Sequence, residues 1–253
     1  MVRGLSFSVT ILGCQGIHAT KDRAASGYLL QLGGKNLWLD AGAGTWRNLL
    51  AHIEWTDLDG VILSHEHPDH TTDVFQAFHA RLYGGPERLG PIPLWAPEPT
   101  LSKLKAFSPR IVEAFDMTSI AAGDRLDWNE ASFSFHEMAH SGTETLGVRV
   151  EFEGAVLAYS ADTGPAGSFD TLARDADVFI CEASFQEQDE KWEGHTSAAQ
   201  AAEIAAGLGV SNLILSHLPA GRDLGLSLAE AHRNAKGVTV QLAADGQSHE
   251  VGA

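Results

Sequence analysis

The chain is short of cysteine, of cations and of long apolar runs. Of its 253 residues only Cys14 and Cys181 are cysteines. That is too few for a disulfide framework, and it suits a reducing compartment, so the cytoplasm is the expected location. Lys and Arg total 17 against 33 Asp and Glu, a formal net charge of −16. Such a chain has no broad basic surface for nucleic acid, stable nucleic-acid binding is not expected, and any anionic ligand must be attracted locally. No apolar run approaches the ~20 residues of a membrane helix, so no membrane partner is expected. No low-complexity linker divides the sequence either, and one domain over residues 1–253 is expected.

What is present is an alternation of short strand-like and helical patterns. Strands are expected over 5–12, 27–32, 36–40, 60–64, 92–95, 131–138, 146–152, 155–160, 177–182, 211–216 and 238–241. Helices are expected over 43–53, 69–82, 98–106, 110–115, 168–174, 196–208 and 226–235. Thr196 or Ser197 should cap the helix in "SAAQAAEIAAGLG", and Gly207 or Gly209 should end it. "TILGC" at 10–14 superficially matches a lipoprotein cleavage site. The preceding residues carry only Arg3 and are interrupted by Ser6, Ser8 and Thr10, so a first strand ending in a glycine turn is the better reading. An internal echo pairs "DGVILSH" (59–65) with "SNLILSH" (211–217), and "LWLDAG" (37–42) with "LAYSADTG" (157–164). Two related halves would bring such strand ends to a common edge, where α/β proteins place their chemistry.

The chemistry is concentrated in "VILSHEHPDHTTD" (61–73), a buried strand that runs straight into His65, His67, Asp69 and His70. Neutral imidazoles with carboxylates suit zinc or a similar divalent ion. An extended chain aims His65 and His67 at one point, and a turn at Pro68 aims Asp69 and His70 at a second. Each point then has two ligands and needs more. Three further strand ends offer them: His140 after "FSFHEMA", Asp162 after "VLAYSA" and His217 after "NLILS". A single such residue is most simply a hydrogen-bonded strand end; together with H-x-H-x-D-H they read as a metal-ligand set.

With these residues the chain resembles the metallo-β-lactamase superfamily over nearly its whole length. The resemblance implies a four-layer αββα sandwich and two divalent ions, zinc first, with Mn²⁺ or Fe²⁺ as alternatives. It implies His65, His67 and His140 at the first ion, Asp69, His70 and His217 at the second, and Asp162 bridging. Asp40 of "LWLDAG" matches the family's early aspartate, which supports the ligands. Lactamases commonly carry cysteine where Asp162 stands, which argues against antibiotic hydrolysis. The oxygen-reducing diiron branch carries Glu where His67 stands, which argues against redox chemistry.

"ADVFICEASFQ" (176–186) followed by "GHTSAAQAAEIAAGLGVSNLILSH" (194–217) looks like the ribonuclease Z branch and its small cyclic-nucleotide phosphodiesterase relatives. There the residues matching Glu182 and His195 assist catalysis. A carboxylate that fixes an imidazole's tautomer and raises its pKa makes a competent acid near neutrality. Ribonuclease Z carries a long tRNA-gripping arm between the positions of His140 and Asp162; here the interval is 22 residues, room for two strands and a turn. The implied substrate is therefore a small or cyclic nucleotide phosphodiester. Two divalent ions against Asp69 and Asp162 would leave the site electropositive, Asp69 would orient the attacking hydroxide, and His195, held by Glu182, would protonate the leaving oxygen. The alternatives are a tRNA 3′ endonuclease, an ester, thioester or lactone hydrolase of the same fold, and a non-catalytic metal-dependent binding protein. A homodimer is compatible with the sequence. Loop 13–27, with His18, Lys21 and Arg23, is a candidate for substrate contact; 184–194 reads first as a solvated loop and otherwise as a mobile flap with Phe185 or Trp192 available to stack on a base. His52, His79, His136, His232 and His249 match no motif.

Overall fold

Strands whose residues are buried on both faces need cover on both sides, and this sequence supplies it by stacking two sheets between two helical layers. A computed structural model of the chain describes residues 6–190 and 192–252. Residues 1–5, with Arg3 and the expected start of the first strand, lie outside the described residues, as do Lys191 and Ala253.

The first sheet holds β1 (Phe7–Gly13), β2 (Gly27–Leu32), β3 (Lys35–Ala41), β4 (Gly60–Ile62), β5 (Ile92–Ala96) and β6 (Phe115–Ser119). The second holds β7 (Arg125–Trp128), β8 (Ala131–Glu137), β9 (Leu146–Phe152), β10 (Ala155–Tyr159), β11 (Val178–Glu182), β12 (Asn212–Ser216) and β13 (Thr239–Leu242). A last strand, β14 (Ser248–Glu250), returns to the first sheet beside β1. The orders are β14-β1-β2-β3-β4-β5-β6 and β13-β12-β11-β10-β9-β8-β7. Each sheet is antiparallel up to a pivot strand, β3 or β10, and parallel beyond it.

Alternation sorts the layers. In β11, Val178 and Ile180 face the core between the sheets, whereas Phe179 and Cys181 face the helices. In β3, Leu37 and Leu39 face inward and Trp38 outward. The outer face of the first sheet is covered by α1 (Thr45–Leu49), α2 (Pro68–Thr71), α3 (Val74–Tyr83) and α4 (Glu98–Phe107), and that of the second by α5 (Phe169–Leu172), α6 (Ala198–Gly207) and α7 (Leu224–Asn234). This is the expected αββα sandwich. No helix among the described residues is long and apolar enough to cross a membrane.

All eleven expected strands form, and β6, β7 and β14 were not expected. These three are edge strands with alternating exposed polar residues, such as "FDMTS", whose pattern carries little apolar signal. The pivots β3 and β10 are the strands of the "LWLDAG" and "LAYSADTG" echo, so that pair is topologically equivalent. The other pair is offset: β4 corresponds in order to β11, not to the echoing β12. Ser197 caps α6 with a full capping box to Gln200, and Gly209, at φ 73°, follows its end.

The expected helix over 69–82 is broken into α2 and α3. At the break Asp73 turns its carboxylate away to accept the backbone N–H groups of Gly44 (2.8 Å) and Trp46 (2.9 Å) at the start of α1. Its own N–H donates to Ala41 O at the end of β3 (2.7 Å). Asp73 thus serves as a cap supplied from another element. Asp73→Ala should cost about 1–2 kcal/mol, read as a lower urea midpoint with unchanged slope, and Asp73→Asn, which keeps an acceptor, should cost less. Equal stability of all three proteins would show that the two N–H groups find other partners.

Candidate functional site

The parallel strands of both sheets end at one edge, and the chain leaves several of them in unusual backbone geometry. Asp40 at the end of β3 has φ 56°, Ala161 just before Asp162 has φ 52°, and His217 just after β12 has φ 51°. Left-handed backbone costs a non-glycine residue ~1–2 kcal/mol and persists only where its surroundings over-determine it. Here it turns side chains from the sheet direction into the gap between the sheets.

The structure brings all seven sequence-predicted ligand residues together in that gap. Donor atoms of His65, His67, His140 and Asp162 lie within 4.8 Å of one another, as do those of Asp69, His70 and His217. Asp162 touches both sets. Its Oδ2 lies 3.9 Å from His65 Nε2, 3.8 Å from His140 Nε2 and 3.3 Å from His217 Nε2, and its Oδ1 lies 3.2 Å from His70 Nε2. Asp69 Oδ2 is 3.3 Å from His217 Nε2. A third group, Asp162, His195 and His217, meets the same criterion. His195 therefore borders the cluster, with its ring stacked on that of His217 at 5.3 Å.

The ring orientations follow from hydrogen bonds on the far side. His70 Nδ1 donates to Asp40 Oδ2 (2.7 Å), and His140 Nδ1 donates to the Gly194 carbonyl (2.9 Å). Ser64 Oγ gives its one hydrogen to Asp40 Oδ2 (2.7 Å) and so accepts from His65 Nδ1 (3.0 Å). Ser184 Oγ gives its hydrogen to Glu182 Oε2 (2.8 Å) and accepts from His217 Nδ1 (2.9 Å). Four imidazoles are thereby fixed with Nδ1 as the outward donor and Nε2 facing the cluster. His195 Nδ1 donates to Glu182 Oε1 (2.7 Å), which leaves its Nε2 for the site as well.

Two buried carboxylates organise this. Asp40 accepts from Ser64 N–H, Ser64 O–H, His70 and, across the gap, Tyr159 O–H, all at 2.7 Å. Glu182 accepts from Thr163 N–H (2.7 Å), His195 (2.7 Å), Ser184 O–H (2.8 Å) and Ser184 N–H (3.3 Å). Asp40 and Glu182 were legible in the sequence. Ser64, Ser184, Tyr159 and Thr163 were not, because a serine or tyrosine near a strand end carries no pattern of its own.

The inner atoms fit a cation. His65 Nε2, His70 Nε2 and Asp162 Oδ1 are buried without a hydrogen-bond partner, a costly state for three neighbouring polar atoms unless a ligand completes them. Imidazole nitrogens with carboxylate oxygens suit a divalent transition ion. The electrostatics agree. Although burial opposes it, His217 and His70 hold the Asp162 carboxyl well below the ordinary range. Asp69 is likewise drawn down to about 2 against burial, by its hydrogen bond to His217 and by His70. Burial and the His70 charge push His65 well down, whereas Asp162 and Asp40 overcome burial to raise His70. Asp162 and the hydrogen bond to Asp69 do the same for His217. Protons favoured at His70 and His217 compete with an entering ion, so its affinity rises with pH.

The two loops behave differently from each other. In 13–27, His18 is exposed and bonds its neighbour Ala19, Lys21 pairs with Asp22 in solvent, and Arg23 reaches to the Ala243 carbonyl, so none of them points a charge into the cluster. Contact comes from Gly16, where a Cβ would lie 2.8 Å from the His217 ring, and from Ile17, whose N–H donates to Asp69 Oδ2 (2.9 Å) at φ 73°. Loop 184–194 is held by Gln186 on Ser227 (2.9 Å), by Asp189 on Arg222 (2.8 Å) and by the Gly194–His140 bond. Of the histidines without a motif, His136 bonds Ser134 and Thr171 on the outer face of the second sheet.

The comparisons with known proteins agree with this geometry. The family model described as "Beta-lactamase superfamily domain" matches residues 35–218. Rv1339 of Mycobacterium tuberculosis is 34% identical over 225 residues, covering 85% of this chain and 82% of that one. The crystal structure of the metallo-β-lactamase fold protein YhfI from Bacillus subtilis superimposes with a TM-score of 0.88 at 25% identity, covering 97% of this chain and 99% of that one. A ribonuclease Z from Kineococcus radiotolerans is 26% identical, covering 83% of this chain and 82% of its own length.

Asp40 has no inner atom to offer a cation, yet it fixes His70 directly and His65 through Ser64. Asp40→Asn should therefore weaken zinc binding about 10–100-fold, measured by competition with a chromophoric chelator, with circular dichroism unchanged. Undiminished affinity would mean that packing alone sets the two rings.

Proposed function

The chain belongs to the metallo-β-lactamase superfamily, in its ribonuclease Z-like branch of metallo-hydrolases, and on that premise we propose that it is a dinuclear-metal phosphodiesterase of small or cyclic nucleotides. The observation that carries this reading is the Glu182–His195 pair: an imidazole with one nitrogen fixed by a buried carboxylate at 2.7 Å and the other within reach of Asp162 and His217. Thioester hydrolysis asks less of a proton donor, because a thiolate leaves unaided. A ribose alkoxide needs a proton as its bond to phosphorus breaks.

In this reading His65, His67 and His140 hold one divalent ion, Asp69, His70 and His217 hold the other, and Asp162 serves both. When bound, the ions, zinc first, activate water and neutralise the phosphoryl oxygens. The chain's own residues do the rest. Asp69 is fixed by Ile17 N–H on its Oδ2 and orients the attacking water. Glu182 holds the His195 tautomer, and His195 gives its Nε2 proton to the leaving oxygen. Between His140 and Asp162 the chain contains a short loop (141–145), β9, a two-residue turn, β10 and residues 160–161, with no arm to grip tRNA. That interval and the charge of −16 favour a small substrate over precursor tRNA, which should be cleaved poorly.

Elemental analysis should find two ions per chain in the active protein, and Asp162→Ala should lose the most metal of any single substitution. One ion at full activity would overturn the dinuclear assignment. His195→Ala should lower kcat ~10²–10⁴-fold on a ribose-alkoxide leaving group and much less on bis(p-nitrophenyl) phosphate, whose leaving group needs no proton, with both ions retained. Equal losses on the two substrates, or loss of an ion, would make His195 a ligand instead of the acid. Glu182→Gln is not confined to the proton step, since Glu182 also reaches His217 through Ser184 and the Asp162 loop through Thr163 N–H.

A further inference from the structure

Few large apolar side chains are exposed among the described residues, and one of them, Trp192, stands at the cluster, 48% accessible. Its indole meets the His140 ring edge-on at 5.9 Å and the His195 ring at 5.2 Å. Burying it would be the ordinary fate of so large a ring. Instead the backbone is shaped to leave it where it is. Gly194 lies beneath the ring, and a Cβ there would sit 2.6 Å from it. Gly164 lets the Glu193 carbonyl come so close that any side chain at 164 would collide with it. The Gly194 carbonyl is in turn anchored by His140 Nδ1 at 2.9 Å. The segment carrying the indole is thus fastened to a residue of the first ligand set.

Beside it opens a cleft of about 970 Å³, beginning at His140 and lined by Met138, Thr143, Leu146, Pro165 and Glu193 among others. Among the described residues no lysine or arginine lines it, and Glu137, Glu144 and Glu193 do. Such a cleft repels a second phosphate and accepts a neutral group with hydrogen-bond donors. Trp192 does not itself line the cleft, but its ring meets His140 and it directly precedes Glu193, both of which do. An aromatic face between such a cleft and a phosphate-attracting cluster matches a nucleoside, with phosphate at the cluster and base on the indole.

We propose that Trp192 is a base-stacking platform and the cleft beyond His140 its receptor, so that the site selects phosphodiesters carrying a neutral nucleobase over base-free ones. This rests on the phosphodiesterase reading for its turnover arm only; binding tests it separately. Trp192 is a specificity residue and moves no proton.

The test compares the zinc-loaded wild type with Trp192→Ala and Trp192→Phe. Kinetics use adenosine 3′,5′-cyclic phosphate and the same cyclic phosphate on 1-O-methyl ribose, which lacks the base. Binding uses equilibrium dialysis of adenosine 5′-monophosphate and ribose 5-phosphate. Trp192→Ala should raise KM and Kd about tenfold or more for the adenine compounds only, with kcat and zinc content unchanged, and Trp192→Phe should recover most of the loss. Equal effects on adenine and base-free compounds, or no effect on either, would overturn the platform. Failure of the wild type to bind adenosine 5′-monophosphate more tightly than ribose 5-phosphate would overturn it too. If base-dependent binding is seen but neither cyclic phosphate is hydrolysed, the platform stands and the phosphodiesterase reading falls.

Discussion

Two carboxylates are buried at the sheet ends, and the site depends on how they are paid for. Asp40 and Glu182 are 0% and 2% exposed, a position in which an uncompensated charge is severely destabilising. Each accepts four hydrogen bonds, and in each case one comes directly from an imidazole and one from a serine that orients a second imidazole. Asp40 governs His70 and, through Ser64, His65. Glu182 governs His195 and, through Ser184, His217. The groups that satisfy the carboxylates thus include one imidazole that would bind an ion and the serines that orient two more, so the charge that makes the interior costly also sets the geometry of the centre.

This arrangement explains where the backbone strain sits. A carboxylate at the end of a regular strand would continue the strand's alternation, and Asp40 would then share the outward face with Trp38. The left-handed turn at Asp40 brings it within 2.7 Å of Tyr159 O–H from the opposite sheet. The turns at Ala161 and His217 do similar work for Asp162 and for the His217 ring. Three unfavourable conformations are held at one edge by a sandwich whose core elsewhere follows its hydrophobic pattern. On the phosphodiesterase reading, the same edge resolves how a strongly acidic chain attracts a phosphate. The excess charge is spread over the molecule, whereas the inner atoms of the cluster converge on a small volume suited to divalent cations.

Much of this was legible in the sequence, because ligand-type residues at strand ends are conspicuous. His65, His67, Asp69 and His70 announce themselves by spacing. His140, Asp162 and His217 stand out because each follows an apolar run whose alternation they interrupt. The sandwich followed from the order of those runs. Other features left no local trace. Ser64, Ser184 and Tyr159 act only through the partner that tertiary structure gives them. Asp73 reads as one more residue in a helical pattern until α1 is laid beside it. The edge strands β6, β7 and β14 are half solvated, so their alternation lacks the apolar contrast that marks β1 or β11. The echo was informative at the pivots β3 and β10, where topology reproduces it. At "SNLILSH" the echo is offset by one strand, although His65 and His217 still meet at the common edge through Asp162.

Glu182 couples two roles that the sequence presented as one. Read from the motif, it orients His195 alone. In the structure its two oxygens divide the work: Oε1 takes His195 and Thr163 N–H, next to Asp162, and Oε2 takes Ser184, which orients His217. The candidate acid and two candidate ligands thus share a single buried anion, and the His195 and His217 rings are stacked on each other at 5.3 Å. Such sharing ties the placement of His195 to that of the neighbouring ligand set, because a change at Glu182 removes the acceptor that orients the His195 ring directly and the His217 ring through Ser184.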